Sequence, residues 1–239
     1  MNSNNKAALV TGGANRIGKA ICLALAEKGY HIALHYGQSK KEAEKTAEKI
    51  RDHHVQCVLF QCDFNHSKSV AQLISRVFQK FPGCNLLVNS ASVFKRASFQ
   101  ETDLNLLEKH LAVNFTAPFF LSQQFAQACA SGLIVNLLDT KISKNSEQFF
   151  AYTLSKKLLY ELTLMTARVM GPAVRVNGIC PGIILSSTET SREMLEKMVQ
   201  RLPLRKKGNP DNIIQALLYL IENEFVTGDC LFVDGGEHL

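Results

Sequence analysis

Tyr152 and Lys156 stand four residues apart at the start of a helical pattern, so a phenol and an ammonium share one helix face. A neighbouring positive charge stabilises phenolate and is expected to lower the tyrosine pKa, which suits a group exchanging protons near neutral pH. A second candidate lies at the other end of the chain, where a short apolar strand runs into Thr11-Gly12-Gly13-Ala14-Asn15-Arg16-Ile17-Gly18 and then a helix. Gly12 and Gly18 permit a tight turn and close backbone approach. The helix that follows points free amides and its positive dipole end at whatever the turn holds, which suits a pyrophosphate. Either motif alone also occurs as ordinary surface and turn chemistry; their order along the chain gives them weight.

The next strand ends His35-Tyr36-Gly37-Gln38-Ser39-Lys40. A site for NAD usually places a carboxylate here to bond the ribose hydroxyls. None is present, while Ser39, Lys40 and Arg16 offer donors and charge that would attract a 2′-phosphate. NADPH is therefore expected over NADH. Ser39 is also placed to cap the helix that follows.

Seven short apolar runs, at 7–10, 31–36, 55–61, 86–89, 133–138, 174–179 and 230–233, punctuate helical patterns at 17–28, 40–53, 70–81, about 102–130 and 150–169. Strands alternating with crossover helices predict an α/β fold with a seven-stranded, mainly parallel sheet and helices on both faces. Beyond Pro181 the rhythm loosens through a polar stretch, two helical segments and a last strand before Asp234-Gly235-Gly236. No repeat or linker marks a second domain, so residues 1–239 are read as one dinucleotide-binding unit with a substrate lid around 185–204.

The formal charge of +6 is spread over helix faces that also carry Glu, so it argues for anionic small molecules rather than nucleic acid. The seven cysteines show no CxxC pair and no zinc spacing; they read as small hydrophobes, with no metal site. No run reaches the ~18 apolar residues that would span a bilayer, and a reducing cytoplasm is expected.

Taken together, the chain resembles the short-chain dehydrogenase/reductase family over nearly its full length. The resemblance rests on Thr11 to Gly18, Asp63 after the third strand, Asn89-Ser90-Ala91-Ser92, Asn114, Tyr152 with Lys156, Pro181-Gly182 and Asp234-Gly235-Gly236. It implies a Rossmann-type, doubly wound fold. It also implies a cofactor site formed by Gly12, Asn15, Arg16, Ile17, His35, Tyr36, Ser39, Asp63, Asn89, Ala91, Lys156, Pro181 and Gly182. Two departures point to a branch. Arg16 replaces the middle glycine of the turn, and Asp139, thirteen residues before Tyr152, stands where the usual catalytic serine would be. With Ala91-Ser92-Val93-Phe94 and the ending from Phe225 to Leu239, these resemble the pteridine reductases, including bacterial dihydromonapterin reductases. Ser90 sits where a second Asn is usual, and Gln38 where some pteridine reductases carry Arg.

That branch implies reduction of a dihydropterin by NADPH, with hydride to C6 and a proton to N5. Asp139 and Tyr152 would manage the proton. Lys156 would hold the nicotinamide ribose, and Asn114 would support Lys156, often through a water. Phe94 would stack on the pterin, and Arg16 and Ser92 would meet its polar edge or the cofactor phosphates. The alternatives are a carbonyl reductase acting on 3-oxoacyl thioesters, which predicts a hydroxyl at Asp139, and a noncatalytic NADPH-binding regulator. A homotetramer is expected from the resemblance alone.

Overall fold

The computed structural model describes residues 6–185 and 191–239, so part of the expected lid and of the polar stretch after Pro181, residues 186–190, lies outside the described residues. Its strands are β1 (Ala7–Val10), β2 (His31–Tyr36), β3 (Cys57–Gln61), β4 (Cys84–Asn89), β5 (Gly132–Leu137), β6 (Val174–Pro181) and β7 (Cys230–Val233). They form one sheet in the order β3-β2-β1-β4-β5-β6-β7, every neighbouring pair parallel. The chain is thus a doubly wound α/β fold of the Rossmann type, as the alternating pattern predicts.

Side chains alternate between the two faces of each strand. In β1, Ala8 and Val10 join Ile21 and Leu25 of α1 (Arg16–Glu27) and Leu217 of α8 (Pro210–Glu222). Ala7 and Leu9 instead meet Leu73 of α3 (Ser67–Lys80) and Leu121 and Phe125 of α5 (Ala117–Ala128). β1 is covered on both sides, which is why it reads as an unbroken apolar run. The remaining helices are α2 (Lys40–Arg51), α4 (Leu104–Leu111), α6 (Phe150–Met170) and α7 (Arg192–Gln200).

The strand order reverses between β1 and β4. In sheets of this kind, ligands bind in the crevice beyond the carboxyl ends of the strands at that switch point. The glycine turn after β1 and the Asn89–Ser92 segment after β4 lie there side by side: the backbone amides of Ser90 and Ala91 donate to Thr11 Oγ1 at 2.9 and 3.0 Å. The expected helix over 102–130 is interrupted at Ala112–Thr116 by a wider π-turn, which holds Asn114 between α4 and α5. Among the described residues no helix is long and apolar enough to cross a membrane.

Candidate active site

Gly12 has φ +66°, and a Cβ there would come within 2.8 Å of the Ala91 Cα. A Cβ on Gly18 would strike the Gly12 carbonyl oxygen at 2.3 Å. Both positions therefore require glycine to keep the turn, α1 and β4 in contact. Arg16, the first residue of α1, sits at φ +52°. The backbone has kept the left-handed geometry of a glycine although the side chain has changed, and such a residue stores about 1–3 kcal/mol of strain. Its guanidinium is exposed and donates to the Leu185 carbonyl at 3.4 Å, reaching the first residue of the expected lid.

His35 takes a different position from the one expected. It is buried, stacked on Phe64 with ring centroids 4.2 Å apart. Its Nδ1 accepts the Gly12 amide at 3.1 Å, and Nε2 lies 2.9 Å from the Cys62 carbonyl, which assigns the ring proton to Nε2. Both nitrogens are thus engaged, and the ring braces the glycine turn from beneath instead of offering a donor to a cofactor. Burial pushes its pKa down to about 4, so it remains neutral and able to accept.

At the end of β2, Tyr36 is buried and Ser39 forms the N-cap of α2 without a side-chain capping bond. Asp63 follows β3 and accepts from the Asn65 amide and side chain at 3.0 and 2.7 Å, which hold its pKa below the usual carboxylate value. Asn15, the N-cap of α1, is exposed, and Ile17 is partly so. Beneath the crevice, Asn89 donates to Asn136 at 2.8 Å, and Asn136 donates to Thr163 of α6 at 2.9 Å. The Asn89 Oδ1 is buried with no partner. Pro181 ends β6, and a Cβ on Gly182 would meet the Asp234 Cα at 2.6 Å. The Asp-Gly-Gly segment therefore packs directly on this strand end.

Tyr152 and Asp139 lie within hydrogen-bond reach of one another, and the electrostatics around the phenol differ from the expectation. Tyr152, in the first turn of α6, donates its hydroxyl to Asp139 Oδ2 at 2.6 Å, while Asp139 Oδ1 accepts the Lys141 amide at 2.8 Å. Burial first, then the Asp139 charge and hydrogen bond, hold the Tyr152 pKa well above its ordinary value. The expectation that Lys156 lowers it is corrected. Lys156 Nζ lies 5.9 Å from the centre of the tyrosine ring and donates to the Leu137 carbonyl at 2.6 Å. Lys156 is itself buried, and desolvation brings its pKa down to about 8. The Ser92 hydroxyl also bonds the phenol and pulls its pKa the other way.

Asn114 clamps the loop after β4, accepting the Val93 amide at 2.8 Å and donating to the Val93 carbonyl and to Ser155 Oγ at 3.0 Å each. These bonds fix the backbone on which Phe94 is mounted, and none of them goes to Lys156. Phe94 is half exposed, stacked on Phe149 at 4.6 Å and set edge-on to Tyr152 at 4.7 Å. The three rings form an aromatic wall in which Phe94 and Phe149 lie nearly parallel, 18° apart, and the phenol of Tyr152 stands at right angles to Phe94. Phe149 escaped the reading of the sequence, as did His110 of α4, fully buried with its ring 6.3 Å from that of Tyr152. The only available signal was position: Phe149 immediately precedes the helix carrying Tyr152. Among the described residues no cluster of three or more His, Cys, Asp or Glu could hold a metal ion.

The fold is shared with proteins of known structure. A family model described as enoyl-(acyl carrier protein) reductase matches residues 12–238. A crystal structure of FolM alternative dihydrofolate reductase 1 from Brucella suis in complex with NADP is 35% identical, with a TM-score of 0.93, covering 98% of this chain and 96% of that one. A blue fluorescent protein from a metagenomic library, solved with NADPH, is 29% identical with a TM-score of 0.91, covering 99% of both chains. The 3-oxoacyl-[acyl-carrier-protein] reductase FabG of Staphylococcus epidermidis is 29% identical, covering 98% of this chain and 100% of the relative.

Proposed function

The chain belongs to the short-chain dehydrogenase/reductase family of oxidoreductases, and within it we propose that this protein is an NADPH-dependent reductase of dihydropterins, dihydromonapterin, dihydrobiopterin or dihydrofolate, yielding the tetrahydro forms. The observation that carries this reading is the 2.6 Å hydrogen bond from Tyr152 to Asp139, beside the Phe94 ring. A planar heterocycle fits against an aromatic face, and its imine nitrogen needs a proton rather than the polarising hydroxyl that a ketone uses. The similarity to FolM from Brucella supports the same substrate class.

The crevice suits NADPH. The amide-rich turn around Gly12 and the start of α1 can hold a pyrophosphate, and no carboxylate at 35–40 opposes a 2′-phosphate. Asn15, Arg16, Ile17, Tyr36, Ser39, Asp63, Asn89, Ala91, Pro181 and Gly182 would surround it, with His35 acting through Gly12. When bound, the cofactor supplies the hydride.

The protein's own task is then to deliver one proton. Tyr152 holds it at the phenol oxygen, kept neutral by burial and by Asp139. A pterin nitrogen that has gained electron density is more basic than phenolate, so the proton moves to N5 when the substrate demands it. Lys156, buried within the same site and bonded to the Leu137 carbonyl, would hold the nicotinamide ribose. Asn114 fixes Val93 and thereby the angle of Phe94. Arg16 and Ser92 face the polar edge of the substrate.

Ketoacyl reduction is the second reading, favoured by the FabG relatives. The test is loss of NADPH absorbance with dihydromonapterin, dihydrobiopterin, dihydrofolate and an acetoacetyl thioester in parallel, with Asp139→Ala and Tyr152→Phe as controls. Pterin turnover suppressed by both variants supports the proposal; turnover of the thioester alone replaces it with the second reading.

For assembly we propose a homotetramer. Phe119 and Phe120 of α5 and Leu154, Met165 and Val169 of α6 expose apolar side chains on helices that touch one another. The seven unpaired cysteines, six of them buried, suit a reducing cytoplasm. Light scattering on the purified protein tests the oligomer.

A further inference from the structure

Beside the aromatic wall lies a cleft of about 820 Å³, on the scale of a small-molecule site. It begins where the wall ends. Val93, clamped by Asn114 and followed by Phe94, lines it, as does Gln148, which precedes Phe149. The strip is held shut along one side by Ala97, which donates its amide to the Gln148 carbonyl at 2.8 Å and accepts from the Phe150 amide at 3.0 Å. Phe94 stands between two residues of this lining, Val93 and Lys95, so a substrate stacked on it would lie next to the cleft along the chain.

The charge in the cleft is asymmetric in its availability. Lys95, Arg96 and Lys109 line it as exposed cations; among the described residues their side chains make no hydrogen bond or salt bridge, and Arg96 lies near enough to Glu101 to lower that carboxyl's pKa. Two carboxylates are also present, but each is occupied with backbone. Glu101 Oε2 accepts the Ser98 amide at 2.8 Å, and Asp103 Oδ1 accepts the Leu106 amide at 2.7 Å as the N-cap of α4. The acids are tied to the backbone, Arg96 is shared with Glu101, and Lys95 and Lys109 are left to meet a ligand.

Building on the dihydropterin reading, we infer that this cleft is a subsite for an anionic substituent on the substrate, a carboxylate-bearing tail such as the aminobenzoyl-glutamate of dihydrofolate, held by Lys95, Arg96 and Lys109. An ammonium or guanidinium pairs well with carboxylate oxygens, and long exposed side chains can follow a flexible tail. A neutral polyol tail, as on dihydrobiopterin, would gain nothing from these charges. The cleft would thus favour acidic-tailed pterins over neutral ones.

The test compares kcat/KM for dihydrofolate and dihydrobiopterin in the wild type and in a Lys95→Gln/Lys109→Gln variant, and in parallel measures calorimetric binding of para-aminobenzoyl-glutamate to both proteins saturated with NADP. The expected result is at least a tenfold fall in the dihydrofolate-to-dihydrobiopterin ratio and loss of the tail's binding in the variant. An unchanged ratio overturns the inference, as does a variant that loses only turnover of a thioester carried on an acidic carrier protein. If neither pterin is turned over, the functional reading fails and tail binding decides alone: binding that depends on Lys95 and Lys109 upholds the anion subsite, and its absence in the wild type overturns it.

Discussion

The Tyr152 hydroxyl and the Asp139 carboxylate share one proton across 2.6 Å, and the carboxylate raises the affinity of the phenol for it. A serine at position 139 could accept or donate a hydrogen bond but could not exert that charge. Asp139→Ser should therefore lower pterin turnover by about 100-fold or more, the usual weight of acid–base catalysis. Asp139→Asn should bring the tyrosinate transition of Tyr152 to lower pH, read by difference absorbance against Tyr152→Phe. An unmoved transition would remove the coupling from the account.

Arg16 holds a glycine's backbone conformation with a long cationic side chain. Arg16→Gly should raise unfolding stability by about 1 kcal/mol by releasing that strain, while the KM for NADPH or pterin rises. Denaturant unfolding and steady-state kinetics on the same preparation check both signs. A variant that loses stability and keeps its KM values would make Arg16 a structural residue.

The brace under the glycine turn makes a pH prediction. His35 has a folded pKa of about 4 against 6.5 in the unfolded chain. Between those values the unfolded state binds more protons, so stability rises with pH and is lost as pH falls from 6.5 toward 4. His35→Asn keeps an acceptor for the Gly12 amide without titrating. Relative to it, the wild type should lose about 2 kcal/mol of stability between pH 7 and pH 5. Equal losses in both proteins would assign acid sensitivity elsewhere.

Phe149 supports Phe94 from behind. Aromatic pairs contribute about 0.5–1.5 kcal/mol beyond their buried area, so Phe149→Ala should raise the KM for pterins by up to about tenfold while NADPH affinity holds. A fluorescence titration with NADPH, run beside the kinetics, separates the two.

Period and punctuation made the sheet legible. β2 and β7 run over the residues that their apolar runs marked, and Tyr152 and Lys156 share the face that their spacing implied. What stayed hidden depends on burial and on partners distant in sequence. Nothing local to Tyr152 reveals that burial and the Asp139 charge, rather than Lys156, set its pKa. Nothing around His35 says that its ring faces Gly12, 23 residues earlier, rather than a cofactor. The π-turn vanished within one long periodic stretch, because one extra residue barely disturbs a pattern of 3.6.

That extra residue acts as an angular setting. Each residue of an α-helix advances the side chains by about 100°, so the widened turn at Ala112–Thr116 decides how the spokes of α5 are clocked against those of α4. Deleting one residue here would leave a smooth helix of nearly the same length. It would also swing Leu121 and Phe125 out of the core and Asn114 off Val93. At this point chain length is read as rotation, and an insertion or deletion would re-aim the whole rod.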